Sequence, residues 1–183
     1  MAAGDEQLML AYRGGDAGAF EQLYARHKGG LYRFVLRSIR DRATAEELYQ
    51  EVWMRVIEAR ERYEERAKFT TWLYTIAHNR LVDHWRKRGL QLVSLDGEEG
   101  AAPEPAADAG YEPQRIAEAR QGVARFARAL EALPAAQREA FLLHQEAEMS
   151  VAEIAQATGC GEEAAKSRLR YATAKLKEAL GDD

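Results

Sequence analysis

Apolar residues along this chain recur at three- and four-residue steps, the period of amphipathic helices, and runs that read as strands are nearly absent. Between 16 and 39, Phe20, Leu23, Tyr24, His27, Leu31, Phe34 and Val35 fall on one helical face, with Gly29 and Gly30 placed to break or bend it. The next helix is predicted to open at Thr44-Ala45-Glu46-Glu47, a capping box in which the hydroxyl and the carboxylate three residues on satisfy free amide donors. Its apolar face carries Ala45, Leu48, Tyr49, Val52, Trp53, Val56 and Ile57; Glu46, Glu47, Gln50, Glu51, Arg55 and Glu58 take the remaining positions. A third helix is predicted from about Phe69 to Lys87.

The helical period then stops. Residues 89–113, rich in Gly, Pro, Ala and carboxylates, hold too little apolar side chain to offset ordering entropy, which predicts a flexible acidic linker. After Pro113 the period resumes with Ile116, Val123, Phe126, Ala127, Leu130 and Leu133, in a helix that ends before Pro134. The expected fold is all-α: a helical domain over 1–89, a linker over 90–112, and a second helical domain over 113–183.

Composition agrees. Of 183 residues, 46% are hydrophobic and 31% charged, with only 4 Pro, a profile that suits soluble helices. The N-terminus has no basic region followed by a long apolar stretch, and no window approaches the roughly 20 apolar residues of a membrane span, so a cytoplasmic protein without membrane insertion is expected. A single cysteine, Cys160, excludes an internal disulfide. The four histidines show no pair at helical metal-ligand spacing. No phosphate loop or nucleophile motif is present, so neither a metal, a cofactor, a small-molecule substrate nor an enzyme activity is expected.

The net charge of -4 conceals an uneven distribution. Arg60, Arg62, Arg66, Lys68, Arg80, Arg86, Lys87 and Arg88 make 60–88 net basic, while 90–119 is strongly acidic. Within the basic segment, Tyr63, Phe69, Trp72, Tyr74 and Trp85 are interleaved with the cations, the combination that stacks unpaired bases and follows a single-stranded backbone. The spacing of Phe69, Trp72, Leu73 and Ile76 fits a helix core, so Trp72 is expected in the core and Tyr63, Asn79 and Arg80 stay candidates for DNA. In the C-terminal half, Ser150 and Glu153 form a capping box, Ile154 and Ala155 give a buried edge, and Gly159 permits a turn before a helix bearing Lys166, Ser167, Arg168 and Arg170. This is a helix-turn-helix pattern, whose second helix enters the major groove. An ordinary helical hairpin with a solvated basic face has the same signature.

Taken in order, these segments resemble sigma factors of the extracytoplasmic-function class, in the sigma-70 family, from about Asp16 to Leu180. Ala45 to Trp53 resembles the polymerase-clamp-binding helix, Phe69 to Asn79 the promoter-melting segment, and Leu133, Pro134, Arg138 and Lys166 to Leu169 the minus-thirty-five-reading domain. The resemblance implies that Glu47, Gln50 and Glu51 dock on core RNA polymerase. It implies that the loop from Arg60 to Lys68, with Arg62, Tyr63 and Arg66, holds an extruded base, and that Asn79, Arg80 and Asp83 lie at the minus-ten element. It places Lys166, Ser167, Arg170 and Tyr171 at the minus-thirty-five element of promoter DNA, with His144 near a phosphate. It further implies control by an anti-sigma factor. Glu162 and Glu163 depart from the small or apolar residues frequent at the start of the recognition helix, and Tyr171 stands where a basic residue is frequent. The competing reading is a dimeric helix-turn-helix regulator binding palindromic duplex unaided, which accounts only for the C-terminal half.

Overall fold

The computed structural model describes residues 2–89 and 113–181, and the predicted linker lies outside them. The described residues form eight α-helices and one 3-10 turn, with no strand. In order these are α1 (Asp5–Arg13), α2 (Ala17–Ser38), α3 (Arg42–Ala59), the 3-10 turn (Arg60–Arg62), α4 (Phe69–Lys87), α5 (Pro113–Ala132), α6 (Ala135–Ala147), α7 (Val151–Thr158) and α8 (Glu162–Leu180).

In the first half, α2 packs on α1 and α3, and α3 on α4. Leu23, Leu31, Phe34, Val35, Leu48, Val52, Val56, Leu73, Ala77 and Leu81 are buried between them. Two expectations are corrected. Thr44 does not open α3: Asp41 is the N-cap and accepts from the Thr44 backbone N–H at 2.9 Å, so the helix begins nearly a turn earlier. Nor do Gly29 and Gly30 interrupt α2, which runs unbroken for 22 residues. Gly30 serves a close approach instead, because a Cβ there would sit 3.1 Å from the Glu146 carbonyl oxygen of α6 and 3.3 Å from the Tyr74 hydroxyl. The short helix α1 has no counterpart among the elements predicted from the sequence.

In the second half, α8 is the central element and touches α5, α6 and α7. Leu130, Leu133, Leu142, Leu143, Ile154, Ala165, Ala172 and Leu176 supply its core. Val123, expected on the apolar face of α5, is instead 70% exposed. The two halves meet along two seams, α2 against α6 and α4 against α7, and their buried apolar residues join in one cluster.

Polar contacts line both seams. The carboxylate of Glu146, largely buried, receives the Arg33 guanidinium at 2.8 Å and also that of Arg37. Glu139 is only 3% exposed and lies 2.6 Å from Nδ1 of His78, while Lys68 meets Glu153 at 2.7 Å. Each of these pairs joins helices of different halves, so together they tie the halves in one register.

Candidate nucleic-acid and polymerase interface

The helix-turn-helix is built as its capping signals require. Ser150 Oγ accepts from the Glu153 backbone N–H at 3.2 Å, and Glu153 Oε2 accepts from the Ser150 backbone N–H at 2.7 Å. Gly159 ends α7 in the left-handed region at φ 65°, where a side chain would strain the backbone. Helix α8 then buries Ala165, Ala172 and Leu176, which turns Lys166 and Arg170 outward. Tyr171 is 52% exposed and its ring lies 5.2 Å from the Arg170 guanidinium; Ser167 is half-buried. Exposed Glu162 and Glu163 occupy the first turn of α8, where carboxylates favour the helix dipole but oppose phosphate. His144 Nδ1 donates to the Met149 carbonyl oxygen at 2.9 Å, so this ring fastens the α6–α7 turn.

The basic segment of the first half shapes a cavity of about 280 Å³, lined by Arg62, Glu64, Arg66, Ala67, Thr71, Trp72, Thr75 and, from the other half, Gln156 of α7. Arg66 pairs with Glu64 on its rim. Arg60 is drawn away, its guanidinium 5.3 Å from the Tyr12 ring centroid. Tyr63, a candidate for DNA contact, does not line that cavity. Tyr63 is fully buried, its ring edge-on to Trp72 at 5.0 Å, and its hydroxyl has no hydrogen-bond partner among the described residues. Burial pushes that phenol up to about 12, so it stays neutral. Trp72, expected in the core, packs against it partly buried and also lines the cavity.

Asn79 is exposed on α4 and Asp83 half-buried, its carboxylate 3.9 Å from Arg55. Arg80 is 8% exposed, and its Nε donates to Glu51 of α3. The bond to Arg80 also holds the Glu51 carboxyl below its usual range. On α3, Glu47, Gln50 and Glu51 are placed on one stripe with Glu47 and Glu51 exposed and Gln50 beside them, and Met54 continues it at 55% exposure. Met54 is absent from the residues singled out in the sequence, although a methionine off the apolar period is the signal that marks it. Among the described residues no group of three or more His, Cys, Asp or Glu side chains is placed to hold a metal. No helix among them is long and apolar enough to cross a membrane.

Comparison with known proteins joins these surfaces. Sigma-70 region 2 matches residues 23–91, and Sigma-70 region 4 matches 124–176. The RNA polymerase sigma factor CarQ of Myxococcus xanthus is 33% identical over 174 residues, covering 95% of this chain and 96% of that protein. The chain belongs to the extracytoplasmic-function class of sigma-70 family sigma factors. The sigma factor SigM of Mycobacterium tuberculosis is 28% identical, with 97% of this chain and 85% of that one covered. Among solved structures, the sigma factor RpoE of Bartonella quintana, co-crystallised with the anti-sigma factor NepR, superposes with a TM-score of 0.68 at 28% identity, covering 90% and 98% of the two chains. CnrH, in complex with the cytosolic domain of CnrY, shares the fold with a TM-score of 0.69 at 24% identity over 96% of each chain.

This sigma factor therefore binds core RNA polymerase and directs promoter-specific initiation of transcription, and its class regulates rather than catalyses. The region 2 match contains α3, α4 and the cavity-lining residues of the first half, and the region 4 match contains α7 and most of α8. Helix α1 lies before both.

Proposed function

We propose that the two halves of this sigma factor divide promoter recognition between opened and duplex DNA. In the opened promoter, the loop from Arg60 to Lys68 holds an extruded base of the minus-ten element, with Arg62, Arg66 and Trp72 around it and Asn79 beside it on α4. Lys166, Arg170 and Tyr171 of α8 meet the duplex minus-thirty-five element, with His144 Nε2 toward a phosphate. Glu47, Gln50 and Glu51, joined by Met54, dock on the polymerase clamp. The units are 1–89 and 113–183, joined through 90–112. Arg80 serves the α3–α4 contact rather than a base, because its guanidinium is turned to Glu51.

The observation that carries this reading is that the two cationic surfaces differ in kind. A cavity of about 280 Å³ with arginines and a tryptophan at its wall suits a single unpaired base, whereas the outward cations of α8 suit a groove. The protein acts in the cytoplasm, without a cofactor or a catalytic step of its own. An anti-sigma factor controls it, a reading supported by the partner of the Bartonella quintana relative.

Permanganate footprinting of unpaired thymines, with core polymerase on duplex and pre-melted templates, tests the division. Lys166→Ala with Arg170→Ala should weaken promoter-complex formation and flatten its salt dependence by up to about two phosphate contacts, while opening survives once bound. Arg62→Ala with Asn79→Ala should spare polymerase docking and lose opening, with partial rescue on the bubble. Equal loss in both variants without rescue by the bubble overturns the division.

A further inference from the structure

The loop between the 3-10 turn and α4 is anchored from outside. Arg13, the last residue of α1, donates from Nη1 to the Tyr63 carbonyl oxygen at 2.9 Å, where the loop begins. Glu6, in the first turn of α1, accepts from the Phe69 backbone N–H at 2.7 Å, where the loop ends. Lys68, at the N-cap position of α4, supplies no side-chain cap, so the Glu6 carboxylate takes that place from a distant helix. Glu6 and Arg13 stand two turns apart on α1, on the same side. Tyr12 between them lies under the Arg60 guanidinium. None of these α1 residues lines the cavity.

We propose that α1 is a positioning helix for strand capture, in which Glu6 and Arg13 fix the spacing of the two loop ends and so the orientation of Arg62, Arg66 and Trp72. This rests on the reading that the loop holds the opened strand. Helix α1 touches the frame of the cavity and not its contents. Loss of either tie therefore changes how well an unpaired strand is held without removing a charge from the DNA contact.

The test uses holoenzyme formed from the full chain and core polymerase, with a single-stranded oligonucleotide selected from a random library by the wild-type holoenzyme. Glu6→Ala and Arg13→Ala should each weaken oligonucleotide binding by about tenfold, the loss of one charge-assisted hydrogen bond. Glu6→Gln, which keeps the acceptor, should restore most of it. The slope of affinity against salt should stay at the wild-type value in all three, whereas Arg62→Ala with Arg66→Ala should lower it. Affinity for core polymerase should stay close to wild type, and the free protein should stay folded, its melting temperature lowered only by the few degrees that one lost cap or tie costs. Wild-type strand affinity in both Glu6→Ala and Arg13→Ala, beside a clear loss in the Arg62, Arg66 variant, overturns the role of α1 alone. A reduced salt slope in Arg13→Ala makes Arg13 a direct contact and overturns it too. Equal loss of polymerase binding in both alanine variants makes α1 a general folding element and likewise overturns its positioning role. If the Arg62, Arg66 variant binds the strand as wild type does, or if the wild type selects no oligonucleotide, the strand-holding reading itself falls.

Discussion

Lys68, at the head of α4, meets Glu153, in the first turn of α7, at 2.7 Å across the two halves of the molecule. A cation in the loop proposed to hold the opened strand and a carboxylate in the helix-turn-helix are thus bound to each other. The bonds from Lys68 and from the Ser150 amide hold the Glu153 carboxyl below its usual range. A carboxyl lowered in the folded state contributes stability that is complete above the ordinary carboxylate range and is lost as pH falls through the lowered value. Acid titration of stability from neutral pH down through the carboxylate range, followed by urea unfolding, should show this decline, and Glu153→Gln should reduce it. At neutral pH, Glu153→Ala should cost about 1 kcal/mol, mainly through the helix cap, since Lys68 is well exposed.

The paired glycines of α2 should respond in opposite ways. A methyl group at Gly29 meets only Nη1 of the half-exposed Arg33, at 3.2 Å, and a shift of a few tenths of an ångström there can leave the Nε bond to Glu146 in place, so Gly29→Ala should stabilise by up to about 1 kcal/mol through helix propensity. At Gly30 the same methyl group meets the Glu146 backbone carbonyl, which cannot step aside without parting α2 from α6. Gly30→Ala should therefore lose the propensity gain and loosen the seam, read as faster amide exchange in α6 with α3 unchanged.

Charge reversal on the proposed clamp-docking stripe should separate folding from binding. Glu47→Lys should weaken competition for core polymerase with no change in urea midpoint. Glu51→Lys should do both, because it strands the Arg80 guanidinium, which is 8% exposed; a stability loss of about 1–3 kcal/mol is expected.

Tyr63 and Trp72 offer a direct check on which aromatic meets DNA. Tyr63→Phe removes a buried hydroxyl that lacks a partner, so stability should hold or rise by up to about 1 kcal/mol and oligonucleotide affinity should not change. Trp72→Ala should reduce that affinity by about 1–3 kcal/mol, the scale of one lost base stack.

The placement of these two aromatics marks the limit of what the chain discloses by itself. The periods of α2, α3 and α4 are legible because each helix buries one face, and Ser150 with Glu153 announces α7 by local hydrogen bonding alone. Tyr63 is tied at its carbonyl by Arg13 of α1, and Trp72 lines a cavity that Gln156 of α7 also lines; these partners are far away in sequence, and no local pattern carries that information. The start of α3 misleads for a related reason. Asp41 and Thr44 are both capping residues three positions apart, and the hydroxyl that looks like a cap instead donates to the true one. Helix α1 is hard to read because its nine residues show too few turns for a period. The contacts between the halves, those of Gly30 and Glu139 among them, exist only once the helices are assembled.

Glu153 uses its two oxygens for different tasks: Oε1 faces Lys68, while Oε2 receives the Ser150 amide. The joint with the first half can consequently come undone at one oxygen while the cap persists at the other. Because that cap is made by Ser150 and Glu153 alone, the start of α7 is held from within its own segment and does not depend on Lys68.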